Sequence, residues 1–340
     1  MKKKLTTTLL IGFVSLVAGL ILAGIGFFSG GYQQLVTLSA PKQIEKTYSN
    51  LHSLSIQTHQ RSVEIVESQD QDFHVYYTLS NNGRTPHLTI TDKDGLLTIS
   101  EERETSTVIR GIMQFLGEEV SDHRGDRYQL RIEVPSGKTL DTVQIINHTW
   151  VQPAYLTGIR VKDLQISAAF TLHHVTADKA SLDASYQFAQ ISKSRLKEAA
   201  LTGSDYRLVL EDTQLETSSI ANYSQLNSKN LTLLGDNVFS PATAVGWGVS
   251  TTQLDLSKES RTNLQLDLST RLDKDMLHQA YGGYDDSEAS DKVGIFTTDA
   301  YKHLPIQTET DTHRLSLEKP GSKNKLHIDA VNAHIFLGSK

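Results

Sequence analysis

Leu164-Gln165-Ile166-Ser167, Leu182-Asp183-Ala184-Ser185, Leu201-Thr202-Gly203-Ser204 and Leu215-Glu216-Thr217-Ser218 are one short phrase written four times. It returns as Leu254-Asp255-Leu256-Ser257 and Leu266-Asp267-Leu268-Ser269, and without its serine as Leu231-Thr232-Leu233-Leu234. Successive leucines are 18, 19, 14, 16, 23 and 12 residues apart. A repeat near twenty residues is the mark of a coil-by-coil stack, each turn adding a strand to a parallel sheet. One coil cannot bury its own apolar side, but a pile of coils makes a continuous core. Alternate side chains of a strand face the same way, so Leu at the first position and the small or aliphatic third residue point inward. The Ser falls at the strand end, where its hydroxyl can bond turn backbone. No Pro stands between Pro153 and Pro241, as a chain donating ladder bonds in every coil requires. Asp178-Lys179, Lys193-Ser194, Glu211-Asp212, Asn227-Ser228-Lys229-Asn230 and Gly235-Asp236-Asn237 read as turns between phrases. The expectation is an all-β, irregular, right-handed-style β-solenoid. The alternative with similar strand spacing is an antiparallel β-sandwich.

Period-2 patterning extends outward from the repeats. Val63 and Ile65, then Phe73, Val75, Tyr77 and Leu79, mark strands toward the N-terminus. Leu88 and Ile90 are joined to Leu97 and Ile99 through Asp94-Gly95, the chemistry of a tight hairpin. Leu130, Ile132 and Val134 stop at Pro135-Ser136-Gly137, and Val143 and Ile145 begin another strand. Thr107–Glu118 has helix-like spacing and reads as a short helix or hairpin that caps the open end of the core, the alternative being a partner-binding or membrane-touching loop. Past Ser269, Arg271–Tyr281 reads as a short helix and Tyr281–Glu288 as an acidic loop. Ile295-Phe296, Leu315-Ser316-Leu317, His327-Ile328-Asp329-Ala330 and His334-Ile335-Phe336-Leu337 are closing strands.

The N-terminus is a different kind of sequence. Lys2, Lys3 and Lys4 are followed by no charge until Lys42, and in the twenty residues Leu9–Phe28 Ser15 is the sole polar side chain. A helix of that length spans ~30 Å, the thickness of a bilayer's hydrocarbon. The domain reading is residues 1–8 a cytoplasmic tail, 9–28 a transmembrane helix, 29–50 a linker, and 51–340 an extracytoplasmic β-rich domain. The flanking lysines keep the N-terminus in the cytoplasm. The partner expected of residues 9–28 is therefore the lipid bilayer. A cleaved signal peptide is the competing reading, but its apolar run is shorter and its exit is small-x-small, whereas this one leaves through Phe27-Phe28. Gly26 and Gly30 have the spacing that lets two membrane helices approach.

Composition excludes several chemistries. The 340 residues include no Cys, so disulfides, thiolate metal sites, thiol catalysis and a lipobox anchor are ruled out. A net charge of -6 argues against a nucleic-acid partner. No nucleophile elbow, phosphate-binding glycine loop or H-E-x-x-H is present. His173-His174 on a strand would point to opposite faces and could not share a metal. Asp285, Asp286, Glu288 and Asp291 have the carboxylate count for Ca²⁺ without the spacing of a calcium loop. Asp183, Asp205 and Asp255 lie where β-helix polysaccharide-cleaving enzymes carry carboxylates, and Trp150, Trp247, Tyr223 and Tyr281 are aromatics of the kind that stack on sugars or pack in a core. Asn147-His148-Thr149 and Asn230-Leu231-Thr232 fit the glycosylation pattern, and Leu304-Pro305-Ile306-Gln307-Thr308 starts like a wall-sorting signal but lacks its order. No catalytic, cofactor-binding or metal-ligating residue is assigned, and no cofactor is expected.

The Lys-led anchor, then Gln129-Leu130-Arg131-Ile132-Glu133-Val134-Pro135-Ser136-Gly137 ahead of L-x-x-S phrases such as Leu201-Thr202-Gly203-Ser204-Asp205, resembles the membrane-anchored putative-adhesin family of Gram-positive bacteria. Its members are β-solenoid domains of unknown function, similar to the Lia-type envelope-stress proteins. The resemblance runs over residues 50–340. The family shows Ser-Gly-Asp at many coil turns, and here Gly203-Ser204-Asp205 is a rearranged form. It implies a single-pass cell-envelope protein, not an enzyme, presenting a solenoid for binding or scaffolding, with a cell-wall polymer or an envelope protein as partner. The alternatives are a β-helix carbohydrate-active enzyme and a regulatory partner of a membrane sensor.

Overall fold

The computed structural model describes residues 2–31, 33–34, 42–79, 86–102, 129–147, 153–184, 187–243, 249–280, 290–298 and 300–338. The cap expected at Thr107–Glu118, the acidic loop and the residues Trp150, Trp247 and Tyr281 lie outside these. Contacts divide the chain into two units. One contains Met1–Ile44 with Tyr77–His87 and Arg103–Gln129, and the other holds the remainder.

In the first unit, Lys2–Gly26 is a single α-helix, and Thr8–Gly31 meets the length and hydropathy of a membrane span. Phe27–Gly31 continues as a wider π-turn with non-helical dihedrals at Ser29 and Gly30. Gly26 and Gly30 therefore do not share one straight helix face, and the close-approach motif read from their spacing is not formed. Within the stretch read as a linker, Lys42–Tyr48 is a strand. It buries none of its residues, which is why it left no apolar stripe in the sequence.

The second unit is built from two parallel ladders. The first runs Leu96–Glu101, Ser53–Thr58, Thr139–Asn147, Arg160–Ser167, Thr176–Asp183, Arg195–Thr202, then the first half of Gln214–Lys229, Asp236–Pro241, Asn324–Val331 and Leu264–Arg271. The second runs Ser62–Glu67, Ala154–Thr157, Phe170–His173, Phe188–Ser192, Tyr206–Glu211, the second half of Gln214–Lys229, Ser250–Leu254, Ala333–Leu337 and Gly294–Thr297. Each coil gives one strand to each ladder. Parallel pairing throughout the central coils makes the unit a solenoid and overturns the antiparallel sandwich. Antiparallel strands occur at the ends: Leu88–Lys93 through the Asp94-Gly95 turn, and the hairpin Ile306–Glu309 with Thr312–Leu317.

Register sets the core. In the first ladder Ile99, Ile56, Ile145, Ile166, Leu182, Leu201, Ile220, Phe239, Ile328 and Leu268 form one column, each essentially solvent-free. Burying such a side chain is worth ~1.5–3 kcal/mol, so the column is the unit's main apolar spine. The repeated phrases do not form one column. Leu182 and Leu201 stand in the spine, Leu164 is one inward position earlier, Leu215 stacks on Leu196, and Leu254 belongs to the second ladder. The serines also divide. Ser218 lies inside the core with its hydroxyl donating to Asn237 Oδ1 at 2.7 Å, Ser257 caps the helix Lys258–Asn263, and Ser269 faces outward mid-strand.

The corners between ladders need left-handed backbone. Gly158, His174, Lys193, Asp212 and Asn230 all have positive φ at equivalent places in successive coils. Their amides continue the ladder: His174 N donates to Ser192 O, Lys193 N to Glu211 O and Asp212 N to Lys229 O. Three of the turns read from the sequence fall on this corner. Asp178-Lys179 does not; it lies inside Thr176–Asp183 as two consecutive outward residues.

Candidate functional site

At the far end of the first ladder Thr312–Leu317 pairs antiparallel with Leu264–Arg271, and Ile306–Glu309 pairs antiparallel with Thr312–Leu317, so the hairpin extends the ladder by two strands. Leu315 plugs into the core, so by strand alternation Gln307, Glu309, Arg314 and Ser316 face the other way, to the outward side. The result is a groove of two adjoining hollows, of about 300 and about 600 Å³, which share Gln307 and Arg314. Its floor is the outward rows of three coils.

The floor is polar and partly paired. His327 Nδ1 lies 3.1 Å from Asp267 Oδ2, and Ser269 donates to Asp329 Oδ1 at 2.5 Å. Asp236 and Lys325 are register partners but form no ion pair. Arg314, between the hollows, has no hydrogen-bond or ionic partner among the described residues, and neither does the ammonium of Lys325. Among the described residues no Phe, Tyr or Trp lines either hollow. Such a site can exchange hydrogen bonds and ion pairs with a polar ligand and offers little apolar burial.

The residues singled out from sequence are dispersed. Asp183 ends a first-ladder strand, Asp205 sits at a corner with φ 52°, and Asp255 follows a second-ladder strand, so no common face brings the three carboxylates together. Tyr223 is solvent-free, its hydroxyl 2.8 Å from Thr252 Oγ1, and burial drives its pKa far up; it is a core residue rather than a platform. Asn147 spends its amide on Arg61 O inside the protein and is not available for modification. His173 and His174 do not point to opposite faces as expected. His174 takes φ 52°, which swings its ring back until the two centroids are 4.2 Å apart. Burial, with His174 and Lys193 adding, holds the His173 imidazole below its usual pKa. Among the described residues no group of three or more acids and imidazoles is arranged to hold a metal.

Two clusters left no sequence signal. Arg61 and Glu101 are solvent-free and 3.1 Å apart, and the second carboxylate oxygen accepts the amides of His59 and Gln60. His74 sits between carboxylates, its Nε2 3.0 Å from both oxygens of Asp70 and its Nδ1 3.5 Å from Glu45 Oε1. The bond to Asp70 raises the His74 pKa, with Glu133 and Glu45 adding to it. Partners distant in sequence, or displaced by turns, hide such pairs from any local pattern.

Parallel coils stacked over an apolar spine, with polar side chains turned outward, define a β-solenoid. The chain belongs to the Toastrack DUF4097 family, whose model matches residues 51–240, more than half of its length. No curated protein matches its sequence. Two crystal structures are similar to it. A putative cell adhesion protein from Clostridium sporogenes ATCC 15579 is 10% identical, covers 88% of this chain and 100% of its own, and has a TM-score of 0.25. A putative adhesin from Bacteroides fragilis NCTC 9343 is 15% identical over 60% of this chain and 98% of its own, with a TM-score of 0.31. Scores that low give neither likeness weight, and the family match stands alone.

Proposed function

We propose that this is a single-pass envelope protein that holds a rigid solenoid outside the cell and uses it for binding or scaffolding, with a part in the response to envelope stress. The observation that carries the reading is the joining of one long apolar helical span to a body whose inward columns are apolar and whose outward rows are polar and charged. A stack of this kind is stiff and extended, and it presents backbone-rich faces suited to an extended partner such as a wall polymer or a protein strand. The Lys-rich N-terminal flank supports an inside N-terminus and an outside body. Residues 9–28 would be the bilayer anchor.

Protease shaving of intact cells is the test. The account expects residues 51–340 to be digested from the outside while an N-terminal tag stays protected. A protected body would overturn the placement. For the stress role, loss of the gene should alter the response to wall-damaging agents, and restoring a chain with an exchanged anchor should separate surface binding from recruitment of a membrane sensor.

A further inference from the structure

Among the described residues Ile306–Glu309 pairs only with Thr312–Leu317, so one of its edges is open. The two-residue turn Thr310-Asp311 makes Glu309 and Thr312 the closing pair. Alternate residues of an antiparallel strand send their N–H and C=O to opposite edges, so Ile306 and Thr308 offer theirs to the open one. An open edge is a template for another strand. The strand also borders the groove, because Gln307 lines the smaller hollow with Asp329 and the larger with Asp236 and His327.

The side chains of the groove carry both signs. Asp236, Glu309, Glu318 and Asp329 are acidic, while the Arg314 guanidinium and the Lys325 ammonium have no partner among the described residues. A purely anionic ligand would meet the acids and a purely cationic one would meet Arg314. We propose that the groove binds an extended peptide segment bearing both acidic and basic side chains, taken up as an added strand on the open edge of Ile306–Glu309. Main-chain bonds to the edge supply affinity, and alternate side chains reach the floor, where Arg314 takes a carboxylate and the acids take an ammonium or guanidinium. Among the described residues the lining holds no Phe, Tyr or Trp ring, which disfavours a saccharide. The inference rests on reading the protein as a binding module and names its partner.

Fluorescence anisotropy on the full chain in detergent micelles tests it. The probes are a capped peptide of about eight residues alternating Val with Glu and Lys, the same peptide with Gln at the charged positions, and a tetramer of N-acetylglucosamine; eight residues matches a typical added strand. The charged peptide should bind, and the Gln peptide should bind at least ~10-fold more weakly. Arg314→Glu should weaken the charged peptide ~10-fold, and Thr308→Pro should do the same by removing an edge donor, whereas Thr308→Val should not. Unchanged far-UV dichroism shows that the variants fold. Peptide binding indifferent to both Arg314→Glu and Thr308→Pro, preference for the tetrasaccharide, or no peptide binding at all overturns the proposal. If cells still need the protein for surface binding while the purified groove takes no peptide, the inference fails and the binding-module reading stands.

Discussion

At the scale of single residues, the costliest feature is the solvent-free Arg61–Glu101 pair. Its geometry serves structure, since Glu101 also holds two amides of the turn at His59 and Gln60. Glu101→Ala would take a carboxylate from a buried guanidinium and two bonds from the turn amides, and should destabilise the chain by about 3–5 kcal/mol in urea unfolding. A loss below 1 kcal/mol would mean that water reaches the site. His74 gives a pH dependence. Its pKa is raised in the folded state, so its contribution is fully present below the unfolded value of ~6.5 and is lost as pH rises through the folded value. The groups facing it are Asp70, Glu45, Glu133, Tyr76 and Thr47. His74→Gln should therefore lower Tm at pH 6 and leave it nearly unchanged well above the folded pKa. An equal loss at every pH would assign His74 a packing role only.

At the scale of elements, coil register is marked by charge. Asp141, Lys162, Asp178, Lys197 and Glu216 alternate in sign along the outward face. Lys162 lies 2.7 Å from Asp141, Lys197 lies 2.5 Å from Asp178, and Arg195 pairs with Glu216. Each exposed pair is worth only ~0–1 kcal/mol, but a one-coil slip would set like charges together along the whole column. Lys197→Glu should lower stability by roughly 1 kcal/mol in low salt, and adding Asp178→Lys should restore part of that loss. If the loss persists undiminished in high salt, the effect is not electrostatic. This column was legible as the dipeptides Lys162-Asp163, Asp178-Lys179 and Lys197-Glu198, yet Asp178-Lys179 reads as a turn, because two successive outward residues break strict alternation. Gly235 is a similar case. Its φ of 64° accommodates one extra residue between Leu233 and Asn237, and a Cβ there would fall 2.3 Å from Glu216 O. Asn237 then fills a core position and returns its amide to the carbonyls of Leu234 and Lys325. Gly235→Ala should cost at least ~1–2 kcal/mol in the same unfolding assay.

At the scale of the whole second unit, sequence order and coil order differ at both ends. Ser53–Thr58 is flanked by Leu96–Glu101 and Thr139–Asn147, and Asn324–Val331 lies between Asp236–Pro241 and Leu264–Arg271. The first and last coils in sequence are thus each one place in from an end. Beyond Leu233 the repeat loses its regularity because Leu254 stands in the second ladder and Leu266 and Leu268 lie in a coil separated from their sequence neighbours by the inserted Asn324–Val331. The groove escaped sequence reading for the same reason, since its floor joins residues near 236, 267 and 327. Removing residues 324–340 would extract an inner coil. It should expose Leu264–Arg271 and Gly294–Thr297 to proteolysis, where trimming the end of an in-order stack would leave its neighbours protected.

The stack and its register can be tested directly because the chain has no cysteine of its own. Ser181 and Ala200 are outward partners on adjacent coils, and Ser219 is the next partner beyond Ala200. Adjacent parallel strands lie about 4.8 Å apart, within disulfide reach, and strands two coils apart do not. Under mild oxidation the pair Ser181→Cys and Ala200→Cys should crosslink within the chain, and the pair Ser181→Cys and Ser219→Cys should stay reduced. Crosslinking of the second pair in place of the first would contradict the parallel coil stack from which the spine, the charge column and the groove all follow.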